Sequence, residues 1–388
     1  MLMSKLFSSP LLGVFIARDS GAKNAYFCTE KSQLLDDLSR VSDRRMNIFA
    51  FGPEDILWDE KKILGWFPRN HAEGSVQKVD FPAVIYDRFF LSHDSNKANK
   101  ILVKQTRDRF LDLGLRWINS PAVFRVTRDK WMMNTIFVQN VISTPKTELF
   151  LNLAQLQDAF LFKKDEQAFF LKPRYGMKGK GIFRLARDFN GHLSMRGEGR
   201  RFEGEVAILD TLRECFAVEE YLIQHAISPP RLKQDGSTVP FDVRILIQRP
   251  KEDWEVVHLL GRQGGKDQAT SNISGGGEPL LFDQIGARLD WPISMSELSV
   301  RLEKMALSAA VALQKEVPEV RDIGLDVILD QQGTPYLLEM NAKPMLFFYQ
   351  AKAQGNGVSP KDKEIFVTLY WHILENLVQA ARSELHLD

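Results

Sequence analysis

The segment GLDVILDQQGTPYLLEMNAKP, residues 324–344, carries the residue types best suited to chemistry. Its pattern is that of a hairpin: an apolar strand, turn residues from Gln331 to Thr334, and a second apolar strand. Asp326 lies in the first strand, Glu339 and Asn341 in the second. Residues two apart on a strand share a face. Glu339 and Asn341 therefore point the same way, and hairpin pairing can bring Asp326 opposite them. Two carboxylates and an amide oxygen form a hard, oxygen-only set suited to Mg²⁺. One carboxylate bridging two ions would clamp a triphosphate. The alternative is a solvated hairpin face. The flanking YLL and MNAKPMLFF are apolar, and an unpaired carboxylate in such surroundings is costly, which favours the metal site.

A second segment, FLKPRYGMKGKGIFRL over 170–185, reads as strand, glycine-rich loop, strand. Gly176, Gly179 and Gly181 allow sharp turns and close approach of backbone N–H groups to an anion. Lys172, Lys178 and Lys180 add charge that neutralises phosphate oxygens. The segment is not a Walker loop, because Ile182 and Phe183 follow Gly181 where that motif needs Lys and Ser or Thr. It is not a dinucleotide fingerprint either. A phosphate-covering flap and an exposed basic turn with no ligand both fit it. Between the two segments, Asp242 and Arg244 alternate along one strand and Arg262 ends its partner. ATSNISGGGEP over 269–279 is a polar, glycine-rich loop. Taken singly, each arginine reads as a surface ion pair worth little. Together, Lys172, Arg244, Arg262, Asp326, Glu339 and Asn341 supply the cations and metal ligands that a nucleotide site needs.

These residues must be held by a sizeable frame. The 388 residues suffice for two or three domains. With 51 Lys plus Arg against 50 Asp plus Glu, nothing in the charge balance asks for nucleic acid or an anionic membrane. Cys28 and Cys215 are the only cysteines, so neither a disulfide scaffold nor a Cys/His zinc pattern is present, and a reducing, cytoplasmic setting fits. No stretch approaches the ~20 apolar residues of a membrane span. LFSSPLLGVFIA near the N-terminus lacks a cleavage site and reads as a first buried strand over residues 11–17.

Short apolar strands around Val14, Ile48 and Ile85, a surface helix over 97–114, and a strand with a proline stop at RWINSP indicate a small open α/β domain to about residue 125. Thr127 is positioned to cap a helix through RDKWMMNTIFVQN. NLAQLQDAFLF reads as a helix and ECFAVEEYLIQ as a strand. Beyond residue 240 two hairpins turn at Arg249–Asp253 and Gln331–Thr334. An amphipathic helix over Leu298–Leu313 and a closing helix from Lys361 to about Glu384 complete the pattern.

The sequence resembles the ATP-grasp enzymes. DKWMM (129–133), FFLKPRYGMKGKGI (169–182), FAVEEYLI (216–223), FDVRILI (241–247), LGRQGG (260–265), SNISGGG (271–277) and GLDVIL…YLLEMNAKP follow that family's order over about 130–344. FPAVIYDRF, INSPAVFRVTRDKW and YLLEMNAKP carry a closer resemblance to the YheC/YheD type of endospore coat-associated protein.

The resemblance implies an α/β (α+β) ATP-grasp fold. An N-terminal α/β domain over 1–125 would precede a central subdomain with the glycine-rich flap over 126–224 and a C-terminal subdomain with the Mg²⁺ site over 225–388. It implies that Lys130 and Lys172 contact ATP phosphates, and that Gly176, Lys178, Gly179 and Gly181 belong to the flap. Glu219, Glu220, Tyr221 and Leu222 would form the hinge that reads adenine. Arg244 and Arg262 would stabilise the transferring phosphoryl group or a substrate carboxylate, and Ser271 and Asn272 would lie near the acceptor. Asp326, Glu339 and Asn341 would hold two Mg²⁺.

The implied chemistry is formation of an amide or peptide-like bond between a carboxylate and an amine through an acyl phosphate, connected with spore formation or the spore coat and its proteins. A non-catalytic ATP-binding or structural coat protein and a small-molecule kinase are the alternatives. Two departures stand out. Pro344-Met345 replaces the Pro-Gly of many ligases, and no acidic ribose contact follows EEYL. Tyr86, Asp87 and Arg88 either help close the acceptor site or form a structural ion pair at a strand end.

Overall fold

The computed structural model describes residues 10–19, 29–43, 45–69, 73–91, 96–156, 167–176, 179–188, 190–234, 237–264, 278–289, 292–344 and 346–387. Three large sheets organise them, beside a two-stranded ribbon of Leu232–Gln234 and Ser237–Val239. The first begins with Leu11–Phe15, which pairs in parallel with Asn47–Phe51 and with Val84–Asp87; Val84–Asp87 in turn pairs in parallel with Arg116–Ile118. These strands are buried almost throughout, so they read as continuous apolar runs rather than as alternation. An antiparallel hairpin of Lys62–Arg69 and Glu73–Asp80 joins their edge. Gly65 and Pro68 interrupt the apolar pattern of this hairpin, which hides it in the sequence. A Cβ at Gly65 would lie 2.5 Å from the Phe49 ring, so only glycine fits there.

RWINSP behaves differently from its reading as a strand followed by a stop. Pro121 opens a helix, Pro121–Arg128, where its missing N–H costs nothing. Thr127 is inside that helix, bonded to the Val123 carbonyl, and does not cap the next one. The cap is Asp129, whose carboxylate accepts from the N–H groups of Trp131 and Met132 at the start of Lys130–Gln139.

Asn119, with φ 56°, adopts the left-handed conformation that asparagine tolerates better than most residues. Its side chain is buried and fully used. Nδ2 donates to the carbonyls of Asp322 (2.5 Å) and Ala342 (2.7 Å), and Oδ1 accepts from the N–H of Arg321 (2.8 Å) and Asp322 (3.1 Å). This amide ties the first sheet to the hairpin that carries Asp326 and Glu339. Replacement by Ala strands buried backbone groups and is expected to cost about 3 kcal/mol. Chemical denaturation of Asn119→Ala and Asn119→Gly measures this; full recovery by Gly would assign the loss to backbone strain instead.

The second sheet is antiparallel and six-stranded: Arg200–Glu203, Leu193–Gly197, Phe183–Arg187, Gln167–Pro173, Tyr221–His225 and Thr147–Phe150, in that order. One face packs Phe183, Leu185 and Met195 against Ile208 and Leu212 of the helix Glu205–Phe216. ECFAVEEYLIQ is accordingly split, its first residues ending that helix and Tyr221–His225 forming the strand. The short helix Leu153–Leu156 is the described part of NLAQLQDAFLF.

The third sheet runs Glu278–Leu281, Glu255–Gln263, Phe241–Gln248, Asp322–Leu329, Pro335–Asn341. Its hairpin turns fall where the sequence puts them. The helix Met295–Glu316 covers one face through Leu298, Leu302, Ala306, Ala309 and Leu313, together with Met133, Ile136 and Phe137 of the Asp129-capped helix. The closing helix Pro360–Glu384 buries Phe366, Tyr370, Ile373, Leu374, Leu377 and Val378. That stripe lies in one core with Leu12, Val14, Ile48 and Val84 of the first sheet and Leu246 and Leu260 of the third. Among the described residues, no helix is long and apolar enough to cross a membrane.

His258 sits in this shared core, with Nδ1 3.1 Å from the Tyr349 hydroxyl and its ring edge-on to Phe366. Burial pushes the imidazole down from 6.5 to about 4. A histidine held neutral in the folded state must be protonated against its environment as pH falls through 6.5 toward 4, so its contribution is present above that window and lost within it. At about 1.4 kcal/mol per pH unit the loss is roughly 2–3 kcal/mol. The stability difference between wild type and His258→Gln, measured near neutral pH and in mild acid, is expected to move in the variant's favour by that amount. A pH-independent difference would refute it.

Candidate active site

The third sheet brings the sequence-selected residues together through its register. Asp326 stands opposite Glu339 on one side and Arg244 on the other, and Asp242 stands opposite Arg262. Arg244 Nη2 donates to Asp326 Oδ2 at 3.0 Å, and its Nε also pairs with that carboxylate. Arg262 reaches Asp326 Oδ1 at 3.1 Å and is itself held by Asp242 at 2.6 and 2.8 Å. Asp326, Arg244 and Arg262 are all buried.

Burial alone would raise the Asp326 pKa. The charges of Arg244 and Arg262, with a hydrogen bond from Glu339, overcome it and hold the carboxyl below its ordinary range. Glu339 goes the other way: burial, then the Asp326 charge, push it up, opposed by Lys130 and Lys172. The two neighbouring carboxyls are thus pushed in opposite directions, Asp326 toward its charged form and Glu339 away from it. Asn341 Nδ2 lies 3.5 Å from Glu339 Oε1. Two adjacent carboxyls whose mutual repulsion raises one of them are oxygen donors that a dication would relieve, so this pair fits Mg²⁺. Among the described residues no group of three or more His, Cys, Asp or Glu side chains could hold a metal. Any ion here would need Asn341 and ligand oxygens to complete its shell.

Two lysines face this pair from the second sheet and the Asp129-capped helix. Lys130 Nζ donates to the carbonyls of Pro173 (3.2 Å) and Gly176 (2.9 Å). Burial lowers its pKa, opposed by Glu339 and Glu219. Lys172 Nζ donates to Gln224 Oε1 at 2.6 Å. Burial pushes it down to about 8, with Glu339 opposing and Lys130 adding to the fall. A small cavity between the sheets is lined by Lys130, Thr147, Lys172, Leu222, Gln224 and Leu338. Its volume of about 10 Å³ admits about one water.

The other predicted residues are placed as follows. Gly176 is within the Lys130 contact, and Gly179 and Gly181 have φ of 75° and 71°, which suits glycine. Glu219 is raised by burial against the charge of Lys130, and Leu222 lines the cavity. Glu220 is engaged by Arg174 at 2.7 Å. The Tyr221 side chain turns to the opposite face of the sheet, against Phe216. Lys178, Ser271 and Asn272 lie outside the described residues.

Sequence reasoning missed Asp129, Arg174 and Gln224. Asp129 caps the helix that begins at Lys130 and also binds Arg174 through both carboxylate oxygens, at 2.9 and 2.6 Å, so it fixes the lysine against the flap. A D-K-W helix start was the available signal. Asp87 and Arg88 form structural contacts. Asp87 binds Arg107 (2.7 Å) and Lys343 (2.9 Å), and Arg88 donates to the Pro344 carbonyl at 3.0 Å. They anchor the segment after Asn341 to the first sheet.

An antiparallel sheet with a glycine-rich loop, facing a sheet with paired carboxylates, is the arrangement of the ATP-grasp fold. D-alanine–D-alanine ligase from Bacillus anthracis, solved with ATP, shares this fold with TM-score 0.52 and 13% identity, over 98% of each chain. The family model described as YheC/D-like ATP-grasp matches residues 114–360, well over half of the chain, and the chain belongs to that family. Two relatives from Bacillus subtilis (strain 168) match most of its length. The endospore coat-associated protein YheC is 24% identical over 85% of this chain and 87% of its own. The endospore coat-associated protein YheD is 24% identical over 86% of this chain and 72% of its own.

Proposed function

We propose that this protein is an ATP- and Mg²⁺-dependent ligase that joins a carboxylate to an amine through an acyl phosphate, acting in the formation of the spore or its coat. The observation that supports this best is electrostatic. Lys130 and Lys172, from two elements, both face Glu339, whose pKa is raised by burial and by the neighbouring Asp326 carboxylate. Asp326, Glu339 and Asn341 would hold Mg²⁺, which would neutralise the β- and γ-phosphates and withdraw charge from the leaving oxygen. Lys130 and Lys172 bind phosphate oxygens, and the charge of a bound triphosphate returns Lys172 to its fully protonated form. Gly176, Gly179 and Gly181, with Lys178, form the flap that excludes water.

The base of ATP lies against Leu222, with Glu219 and the backbone beside Glu220 and Tyr221 holding its edge. Arg244 and Arg262, kept in place by Asp326 and Asp242, are aimed at charge that develops as the substrate carboxylate attacks the γ-phosphorus. The amine then attacks the acyl carbon, loses its proton, and phosphate leaves. Ser271 and Asn272 are assigned to the acceptor side. The division at about residues 125 and 224 is part of the same reading. The names of YheC and YheD point to the endospore coat, and association with coat proteins is proposed on that ground.

Calorimetric titration of ATP into the full chain, with and without Mg²⁺, tests the nucleotide site. Saturable binding that needs Mg²⁺ is expected, followed by ADP and phosphate release when a carboxylate and an amine are both supplied. A stable phosphoester product would make the protein a kinase. Absence of ATP binding would leave a structural coat protein.

A further inference from the structure

The cleft face of the second sheet carries a feature that the ligase chemistry does not use. Arg184 stands opposite Arg196, and Arg196 opposite Arg201, on three adjacent strands. Arg184 is also opposite Phe170, two residues from Lys172, so the row shares a face with the phosphate lysine. All three arginines are exposed. Among the described residues Arg184 and Arg196 make no hydrogen bond or ion pair, and Arg201 pairs with the exposed Glu203.

Like charges directly opposite one another across antiparallel strands are destabilising. Here two such pairs follow in succession, forming a row roughly 10 Å long at about 4.8 Å per strand. The chain as a whole has a net charge of +1, so the row is not part of a generally basic surface. The geometry points to a docking row for an acidic peptide, whose side-chain carboxylates neutralise the three guanidiniums. Arginine's planar fork matches carboxylates in two-point contacts. A single-stranded nucleic acid fits less well, because among the described residues Phe170 at the inner end is the one ring in the row's register and Glu203 stands on the outermost strand. The row starts one strand from the strand of Lys172, so a peptide along it presents one end to the phosphate site. That delivery step rests on the ligase reading above; binding to the row does not.

The test is fluorescence anisotropy of labelled deca-glutamate with the full chain, at low and high salt. Saltable binding is expected, and Arg184→Gln/Arg196→Gln/Arg201→Gln is expected to weaken it about tenfold. A control that removes three exposed cations elsewhere, Lys97→Gln/Lys104→Gln/Lys361→Gln, should stay within about twofold, since distant charges are screened. No binding by wild type at low salt, equal losses in the two variants, or tighter binding of oligo-dT than of deca-glutamate would each overturn the proposal. ATP binding with Mg²⁺ on the same samples separates the two readings. Its loss from wild type sinks the ligase and leaves the row's result standing.

Discussion

Glu339→Gln is expected to abolish Mg²⁺-dependent ADP release while leaving the protein without nucleotide at least as stable as wild type. The two halves have one cause. In the folded chain Glu339 is half-buried beside Asp326, and both burial and that charge raise its pKa. A neutral amide of the same shape suits surroundings that disfavour the charged carboxylate. It cannot bridge dications. Losing the charge that the ions and the phosphoryl group depend on should cost about a thousandfold in turnover, or ~4 kcal/mol of transition-state stabilisation. ADP release and thermal unfolding of the same preparation decide the matter. Turnover within a few-fold of wild type would remove Glu339 from the metal site. A large loss of stability would mean that its carboxyl holds the fold instead.

Asp326→Ala should behave in the opposite manner and unfold easily. Its carboxylate is buried between Arg244 and Arg262. Arg262 keeps Asp242 as a partner, but Arg244 is left as a buried cation without its carboxylate. Breaking a buried pair from one side costs about 3–5 kcal/mol. Asp326→Asn keeps an acceptor for one guanidinium and should recover part of that. Urea unfolding of both variants gives the comparison. An Ala variant as stable as wild type would show that Arg244 finds solvent or another partner, and that Asp326 is free to serve as a metal ligand alone.

The contrast between these two carboxyls was only partly legible in the sequence. The hairpin over residues 324–344 was readable because its apolar pattern has a period of two and its turn residues are explicit, and the register does bring Asp326 opposite Glu339. What the sequence hid was the third strand. Arg244 lies 82 residues from Asp326, and local pattern says nothing about which strand will be its neighbour. The arginines looked like isolated surface charges for the same reason. Lys130 and Lys172 were visible through resemblance, but the residues that hold them were not. Asp129 works as a cap and an ion-pair partner at once, and Gln224 is an ordinary strand residue until Lys172 is placed beside it. Asn119 carried no signal beyond a polar residue two positions before a proline. Its value lies in four contacts with chain some 200 residues away.

The closing helix has a consequence for how the chain acquires its structure. Residues 360–384 complete a core begun by residues 12–14, 48 and 84. During synthesis the first sheet therefore emerges with that apolar face covered only in part, by Leu34, Leu35 and Leu38, and the rest stays bare until residues 360–384 have left the ribosome. Contacts of such sequence separation form late and slowly. A nascent chain stalled before residue 360 should bind hydrophobic-surface dyes or chaperones, and a stop codon there should yield an aggregating product rather than a shorter working enzyme.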